Sequence, residues 1–314
     1  MNDQALAALL LPWGLTLKCE HPAIPLDGSP ERAMTRTVVE DAVGRYFILE
    51  RIPGEHVEKK DRIARRLTAL REAGLTAVNP YWLAKGNYLI AGEGDWWQLQ
   101  PYLHSIPVNR ETYASEPWRG KAMASFLIQM AAASAAFPPE PAFSLPVYSR
   151  RIGRMLGEQY PAASRELADV WEYLESGLFK HYDSLPMRFV HGDFHPLNML
   201  WTADGIRAVI DWEFCGFKPE LYDAALLVGC IGFDSPEYLT QSMPITFLGD
   251  LRAGGFAGKT SWRDFVDLVL AIRTGWLREW LVKKDTEALD QEVVYMQLLR
   301  DNRGLLEKRW GLSD

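Results

Sequence analysis

Cysteine is scarce in this chain of 314 residues, which contains only Cys19, Cys215 and Cys230. Three is an odd number and the spacings are not those of metal ligands, so the sequence argues against a disulfide framework and against a zinc ribbon. Such thiols are typical of a reducing compartment, where they act as small buried apolar side chains. We therefore expect a cytoplasmic protein.

Long apolar runs are also missing. The longest spans residues 122–137 and is interrupted by Ser125, Gln129 and Ser134. It is shorter than a bilayer requires and rich in alanine, so it predicts a buried helix rather than a membrane span. The start of the chain has no basic stretch and no small-residue cleavage site, and we expect a short helix there instead of a signal peptide.

The chain has no excess of positive charge. It contains 34 Lys and Arg against 41 Asp and Glu, which gives a formal net charge of −7. Such a chain has no general attraction to nucleic acid or to an anionic membrane, and no obligate protein partner is evident. Apolar residues are plentiful: 48% of the chain is hydrophobic and 12 residues are tryptophan. This is enough for a large core and for aromatic walls around a ligand.

The order of predicted elements divides the chain near residue 103. Before it, apolar alternation predicts two hairpins, with a helix at 58–72 between them. After it, helical patterns predominate. The predicted fold class is therefore α+β, with a small, mainly antiparallel-β N-terminal lobe over 1–103 and a larger helical C-terminal lobe over 104–314. The short junction favours two lobes that share a cleft.

One stretch in the second lobe carries the chemistry. It reads His-Gly-Asp-Phe-His-Pro-Leu-Asn at 191–198, and Asp211 follows directly after a later apolar run. Asp193 and Asn198 are five positions apart, which is the spacing of the aspartate and asparagine in the catalytic loop of protein kinases. Phosphoryl transfer needs one carboxylate for the proton of the acceptor hydroxyl, and an amide oxygen and a second carboxylate for Mg²⁺ on the nucleotide. The pattern therefore predicts kinase chemistry.

These residues resemble the aminoglycoside phosphotransferase and choline kinase superfamily, which consists of small-molecule kinases with a protein-kinase-like fold. The resemblance rests on His-Gly-Asp at 191–193 with Asn198, on Ile-Asp-Trp-Glu at 210–213 and on Tyr-Asp-Ala-Ala at 222–225. The lobes match in order and length. The resemblance implies a bilobal protein-kinase-like fold and ATP-dependent transfer of the γ-phosphoryl group to a hydroxyl.

The resemblance also implies roles for single residues. Asp193 would be the catalytic base, and Asn198 and Asp211 would hold Mg²⁺, with ATP as co-substrate. His191 would orient the catalytic loop. Asp223 would support that loop from the start of the next helix, although an aspartate at this place is also an ordinary helix cap.

The N-terminal lobe departs from the kinase pattern. Kinase-like folds carry a strand lysine that touches the nucleotide phosphates and is held by a helix glutamate. The matching strand at 46–52 has no lysine, and its best cation is Arg51, which either binds phosphate in a bidentate manner or is a solvated edge residue. Gly28 and Ser29 offer backbone N–H groups for phosphate, although Pro30 removes one donor.

By analogy with the family, the adenine ring contacts the linker between the lobes. In chain order this linker contains Gln100, Tyr102 and Leu103, with Tyr102 as an aromatic wall. These three residues complete the predicted ATP-binding set.

The acceptor site is expected in the helical lobe, as in the rest of the superfamily. Trp276 and Trp280 are four positions apart on one helix face, with Arg273 beside them, and Trp262 precedes them. Such a stripe is more often part of a core. In a functional role it forms an aromatic wall for a sugar ring or a quaternary amine. The charge of the acceptor stays open, because Arg273 favours an anion and Glu279 a cation.

The sequence thus predicts a Mg²⁺- and ATP-dependent phosphotransferase that acts on a hydroxyl of an amino-sugar, sugar, choline-like or amino-alcohol acceptor. Two other functions remain open. The missing lysine also fits a kinase-fold protein that binds nucleotide with little or no turnover. The alternating His191, Asp193 and His195 fit a transition-metal site of a hydrolase, although Gly192 and Pro196 break the strand that this needs.

Overall fold

The computed structural model describes residues 2–24, 26 and 33–312. They form two compact units. The sheet unit comprises Met1–Ile106 and Met199–Glu213, and the helical unit comprises Pro107–Asn198 and Phe214–Asp314. Gly28 and Ser29, predicted to bind ATP, lie outside the described residues.

The sheet unit is built on a five-stranded antiparallel sheet in the order β1-β2-β3-β5-β4. The two hairpins predicted by the apolar alternation are β2–β3 and β4–β5. The elements of this part are β1 (Leu17–Glu20), β2 (Thr35–Asp41), β3 (Tyr46–Ile52), β4 (Leu89–Gly92), β5 (Asp95–Pro101), α1 (Asp3–Leu10) and α2 (Val57–Glu72).

The sheet is covered on both faces because successive side chains of a strand alternate between them. Phe47 and Leu49 of β3 pack with Leu6 and Leu10 of α1 in one apolar cluster. Ile52 faces the other way and packs with residues of α2. Burial of a large apolar side chain contributes about 1.5–3 kcal/mol, so these two clusters fix the sheet between the helices.

A hairpin from later in the chain completes the sheet unit. It consists of β7 (Met199–Trp201) and β8 (Ile206–Val209). Isolated β-bridges join Ile106 to Trp201 and Val78 to Val209. These bridges explain why residues 199–213 belong to the sheet unit, whereas the division by chain order assigns them to 104–314. Asp211 is therefore part of the sheet unit.

The helical unit contains one two-stranded ladder, formed by β6 (Met187–Val190) and β9 (Gly216–Pro219). Its helices are α3 (Pro117–Ala133), α4 (Leu145–Gln159), α5 (Pro161–Glu166), α6 (Ala168–Ser176), α7 (Leu178–His181), α8 (Tyr222–Asp234), α9 (Ser242–Ala253), α10 (Lys259–Arg263), α11 (Phe265–Ile272), α12 (Thr274–Lys283), α13 (Thr286–Asp301) and α14 (Arg303–Arg309). Helices α8 and α11 are buried on nearly all sides and form the centre of this unit. Within the described ranges, no helix combines the length and apolar character needed to cross a bilayer.

Candidate active site

The catalytic loop, residues 191–198, follows β6 and is held by α8. Asp223 lies in the first turn of α8 and is 2% exposed. Its Oδ2 accepts a hydrogen bond from the backbone N–H of His191, and its Oδ1 accepts one from that of Gly192, both at 2.7 Å. Because both oxygens are used and the acceptor is charged, the carboxylate fixes the start of the loop at two points.

The environment of Asp223 changes its acidity. Burial raises its pKa to about 6, against the opposite effect of the two N–H donors and of Lys218. The charged carboxylate therefore costs free energy in the folded state, and its two hydrogen bonds offset only part of that cost.

This raised pKa predicts how stability depends on pH. Between about pH 4 and 6 the folded protein holds a proton on Asp223 that the unfolded chain has lost, so stability falls as pH rises through this window. The measured quantity is the free energy of unfolding of the wild type minus that of Asp223→Asn. We expect this difference to fall by about 3 kcal/mol as the pH rises through the window, because each unit of pKa shift corresponds to about 1.4 kcal/mol. Urea unfolding of both proteins at each pH measures this difference. A difference that stays flat or rises contradicts a raised pKa.

His191 and Gly192 shape the loop. His191 is fully buried, and its Nδ1 accepts a hydrogen bond of 3.2 Å from the backbone N–H of Asp193. Gly192 has a φ of +84°, and a Cβ at this position would lie 2.1 Å from the carbonyl oxygen of Phe214. Only glycine fits here. His191 thus occupies an orienting position, with its ring directed at the backbone of the loop.

The structure brings Asp193 and Asn198 together. Nδ2 of Asn198 donates to the backbone oxygen of Asp193 at 2.9 Å and to its Oδ2 at 3.0 Å. This orientation places Oδ1 of Asn198 on the side of the amide away from Asp193. The side chain of Asp193 is 16% exposed, and Nε2 of His195 lies 3.7 Å from its Oδ1.

Asp211 follows β8 in the sheet unit and has a φ of +70°. A residue other than glycine in this left-handed region is uncommon and is held there by its surroundings. The next residue, Trp212, is buried and donates from Nε1 to the carbonyl oxygen of Val209 at 2.9 Å. Carboxylate and amide oxygens are the donors that Mg²⁺ prefers, so Asp211 and Asn198 fit this ion by their chemistry.

An ion pair that sequence reasoning missed lies two residues after Asp211. Oε1 of Glu213 is 2.5 Å from Nζ of Lys60, whose side chain is 5% exposed, and Oε2 is 3.0 Å from Nζ of Lys59, which is 46% exposed. Burial tends to raise the pKa of Glu213, but the two lysines outweigh it and hold the pKa below its usual value. Glu213 is therefore an ionised carboxylate bound to α2.

A sequence signal for Lys60 existed. It precedes Ile63 by three positions and Ala64 by four, so it shares their face of α2. Both of these residues are buried, and a lysine on a buried face needs a partner. The partner was not predictable by this rule, because it lies far along the chain.

The predicted ATP-binding residues of the sheet unit are dispersed among its strands and linker. Arg51 of β3 donates from Nε to Oδ2 of Asp95 at 2.7 Å, so its guanidinium is paired with a neighbouring strand. Gln100 lies in the β3–β5 ladder. Tyr102 donates from its backbone N–H to the oxygen of Tyr46 at 2.9 Å, and Leu103 follows it, half-buried.

The buried charge of β3 is acidic. Glu50 is 5% exposed, and its Oε1 lies 3.1 Å from Nε of Arg36 on β2. Gln98 of β5 donates to its other oxygen. The strand therefore presents a carboxylate to its buried face and has no lysine.

A cavity of about 280 Å³ lies wholly within the helical unit. The catalytic loop contributes His195, Pro196 and Leu197 to its wall, and aromatic rings form much of the rest: Tyr113, Phe233, Trp276 and Trp280. The rings of Trp276 and Trp280 stack with centroids 6.0 Å apart, as do those of Phe233 and Trp280. This space is named the Trp276 cavity.

Charged groups at the Trp276 cavity are already paired. Arg273 is 1% exposed and donates from Nε to Oε1 of fully buried Glu292 at 2.6 Å. Asp234 accepts a hydrogen bond of 2.7 Å from the hydroxyl of Tyr113, and its other oxygen lies 2.9 Å from Arg110. Arg273 therefore brings no net charge to the wall, and Asp234 is a wall residue that sequence reasoning missed.

The structure separates Trp262 and Glu279 from these groups. Trp262 lies in α10, and its buried indole packs against Phe265 with ring centroids 5.4 Å apart. Glu279 pairs with Lys283 at 2.8 Å on the surface of α12. The predicted aromatic stripe is thus divided between core and cavity, because this region forms three helices with boundaries at Asp264 and Arg273 and not one continuous helix.

The His-Asp-His triplet does not form a metal site in the described part of the chain. The ligand atoms of His191, Asp193 and His195 are not among those that gather in threes within 4.8 Å of one another. Nδ1 of His191 is occupied instead by the backbone of the loop. The geometry therefore disfavours the hydrolase interpretation.

Comparison with known proteins identifies the family. The model of the phosphotransferase enzyme family matches residues 35–265. The chain belongs to this phosphotransferase family. No curated protein matches it at a significant level.

Solved structures share the fold of this phosphotransferase across almost its whole length. An aminoglycoside phosphotransferase from Alicyclobacillus acidocaldarius has a TM-score of 0.65 and 15% identity over 94% of this chain and 93% of that chain. A choline/ethanolamine kinase family protein from Mesorhizobium loti has a TM-score of 0.63 and 16% identity over 94% and 92%. An amicoumacin kinase in complex with AMP-PNP, Ca²⁺ and Ami has a TM-score of 0.65 and 13% identity over 96% and 94%.

These findings confirm three of the sequence predictions. The chain is a member of the predicted superfamily, it has the predicted α+β protein-kinase-like fold, and it is a small-molecule kinase.

Proposed function

We propose that this phosphotransferase moves the γ-phosphoryl group of ATP to a hydroxyl of a small acceptor held in the Trp276 cavity, with Asp193 as the base. One observation carries the proposal. The catalytic loop supplies both the base and part of the cavity wall, since His195 lines the cavity and its Nε2 lies 3.7 Å from Oδ1 of Asp193. An acceptor in the cavity therefore meets the segment that carries the base.

The residues of the loop divide the work of the reaction. Asp193 accepts the proton of the acceptor hydroxyl. The hydroxyl oxygen of the acceptor bonds to the γ-phosphorus, while the bond from that phosphorus to the ADP oxygen breaks. Asn198 holds the Asp193 carboxylate through Nδ2, and Asp223 holds the backbone of the loop. Asn198 through its amide oxygen, and Asp211 through its carboxylate, would each offer a ligand to Mg²⁺, which would supply positive charge to the phosphates. Most of the rate then comes from positioning and electrostatics.

The cavity favours a compact acceptor. Its volume of about 280 Å³ is at the lower end of ligand sites, so a single ring or a short amino alcohol fits better than a chain of several sugars. Stacked Trp276 and Trp280 suit the apolar face of a sugar ring or an alkylated amine. Glu292 pairs with Arg273 and Arg110 pairs with Asp234, so neither charged group of the wall selects an anionic or a cationic acceptor.

A turnover screen tests this proposal. The protein is incubated with ATP, Mg²⁺ and a panel of compact amino sugars, sugars, amino alcohols and choline, and ADP formation is followed beside a thermal-shift measurement with ATP and Mg²⁺. We expect acceptor-dependent ADP formation with at least one compact acceptor of this panel. Stabilisation by ATP without turnover on any acceptor favours instead a nucleotide-binding protein, as the absence of a lysine from β3 suggests. With either function, we expect the protein to act in the cytoplasm.

We also propose that Lys60 positions the Asp211 segment through Glu213. Lys60→Met removes the buried partner of the Glu213 carboxylate and leaves it the ion pair with the more exposed Lys59. We expect a loss of about 3 kcal/mol in the free energy of unfolding, the low end for a broken buried pair, and a higher Mg²⁺ concentration for half-maximal rate.

Lys59→Met is the matched control, since it breaks an exposed contact to the same carboxylate. This change should cost less than about 1 kcal/mol, and Lys60→Arg should restore much of the Mg²⁺ response. Equal effects of the Lys59 and Lys60 substitutions contradict the positioning role.

A further inference from the structure

A cluster of metal-binding side chains lies in the sheet unit, on residues to which the proposed transfer gives no role. Cys19 is on β1, His21 follows that strand, and Glu40 is on β2. Sγ of Cys19 is 3.4 Å from Nε2 of His21 and 3.5 Å from Oε2 of Glu40. The same Nε2 and Oε2 are 2.9 Å apart. Three different potential ligand atoms therefore converge on one point.

A β-bulge produces this convergence. The register of β1 against β2 shifts between Leu17 and Cys19, so that Lys18 is the extra residue and Cys19 pairs with Glu40. His21 continues the pairing, because its backbone N–H donates to the oxygen of Val38 at 2.8 Å. Val38 and Glu40 are two positions apart and share one face of the strand, so His21 is a diagonal neighbour of Glu40. Bulges commonly re-aim side chains in this way.

The three separations are close to those around a tetrahedral ion. Zn²⁺ binds sulfur at about 2.3 Å and nitrogen or oxygen at about 2.0 Å. At tetrahedral angles these bonds place sulfur about 3.5 Å from the nitrogen and from the oxygen, and the last two about 3.3 Å apart. Both sulfur separations in the cluster match. Nε2 of His21 and Oε2 of Glu40 must move apart by about 0.4 Å to reach the tetrahedral separation. This movement breaks the hydrogen bond between them.

We propose that Cys19, His21 and Glu40 bind a single Zn²⁺ ion, with water as the fourth ligand. Thiolate and imidazole ligands select zinc over magnesium, which prefers oxygen donors throughout. Binding displaces the thiol proton of Cys19, and the imidazole proton resides on Nδ1 so that Nε2 can bind the ion. The ion replaces the hydrogen bond between His21 and Glu40 and links β1 to β2.

Lys18 is the group that opposes a cation. Its Nζ is 2.6 Å from Oε1 of Glu40, on the carboxylate oxygen that does not face the cluster, and its side chain is 57% exposed. Hydrogen bonds from Lys18 and His21 hold the pKa of Glu40 at about 2, so the carboxylate is ionised. Burial and Glu40 raise the pKa of the Cys19 thiol, and the metal must therefore displace a proton. Removal of the opposing charge by Lys18→Met should tighten zinc binding.

Metal binding by the full-length protein tests the proposal without any use of its kinase activity. Chelator-treated protein, free of nucleotide and Mg²⁺, is titrated with Zn²⁺ and separately with Co²⁺. We expect one Zn²⁺ per chain, a thiolate-to-cobalt charge-transfer band, and a higher thermal unfolding midpoint with Zn²⁺. Loss of a residue that only hydrogen-bonds to a metal ligand costs about 10- to 100-fold in metal affinity. Cys19→Ser and His21→Gln each remove a ligand itself, so each should weaken zinc binding by more than this.

Cys215→Ser is the matched control, because it removes a half-buried thiol outside the cluster; it should leave the zinc affinity unchanged. Zinc binding that persists in Cys19→Ser and His21→Gln overturns the proposal, since the ion then lies elsewhere. So does the absence of the cobalt band in well-folded wild-type protein. Because turnover is not measured, these results are independent of the proposed phosphoryl transfer.

Discussion

Asp193→Asn should lower kcat by about 10²- to 10⁴-fold, the usual contribution of a positioned general base. The amide has nearly the size of the carboxylate but cannot accept the proton of the acceptor hydroxyl. The contact with Nδ2 of Asn198 adapts to an amide oxygen, so the loop should keep its shape. The affinity for ATP should stay within a few-fold of the wild type, because the base acts on the acceptor and not on the nucleotide.

Steady-state kinetics with the best acceptor, beside calorimetric titration with a non-hydrolysable ATP analogue, measures both quantities. Asp204→Asn is the control, since Asp204 is exposed in the turn between β7 and β8 and accepts from the hydroxyl of Thr202 at 2.8 Å. It should leave kcat unchanged. Full activity of Asp193→Asn excludes this residue as the base.

Glu292→Leu should cost about 3–5 kcal/mol of folding free energy, as expected when one partner of a buried ion pair is removed. Glu292 and Arg273 are 0% and 1% exposed as side chains, so neither charge can reach water. Without Glu292, the guanidinium keeps the hydrogen bond to the oxygen of Gly229 and its contacts with the rings of Phe233, Trp276 and Tyr295. Those contacts do not replace a carboxylate.

A double-mutant cycle in urea unfolding measures this coupling. Arg273→Met should cost a similar amount, and the double variant Arg273→Met/Glu292→Leu should recover most of the loss, because an apolar pair of similar volume replaces the charges. Glu175→Gln is the control; it breaks the exposed pair with Arg150 and should cost less than about 1 kcal/mol. Strictly additive costs of the two buried substitutions contradict the pairing.

The catalytic loop was predictable because its signals are local. The spacing of Asp193 and Asn198, and the glycine at position 192, lie within eight residues of sequence, and the family match covers this stretch. The hairpins β2–β3 and β4–β5 were predictable for the same reason, since alternation of apolar residues needs only a few positions. Asp223 was assigned through the resemblance, since Tyr-Asp-Ala-Ala at 222–225 is one of the motifs that carry it.

The partners of charged residues were not predictable, because they depend on packing between distant segments. Arg273 is followed by two tryptophans in the sequence, which suggested a residue that reads the charge of the acceptor. The structure gives it Glu292 of α13 instead. In the same way, Lys60 of α2 pairs with Glu213, which lies in the second, distant segment of the sheet unit. Periodicity identifies a buried face, and tertiary contacts decide which group covers it.

The cavity illustrates the same limit for apolar residues. Twelve tryptophans raised the expectation of an aromatic ligand site, and periodicity pointed to Trp276 and Trp280. Their partner Phe233 comes from the end of α8, and Tyr113 precedes α3. No pattern in the sequence connects these segments. The assignment of the cavity therefore depends on the fold.

The most direct test of the central claim follows the oxygen of the acceptor. The best acceptor from the screen is prepared with ¹⁸O in its hydroxyl group and incubated with the wild-type protein, ATP and Mg²⁺, and the products are analysed by mass spectrometry. Transfer to the hydroxyl predicts one phosphorylated acceptor for each ADP, with the ¹⁸O retained between carbon and phosphorus. ADP accompanied only by inorganic phosphate, with the acceptor unchanged, contradicts the account.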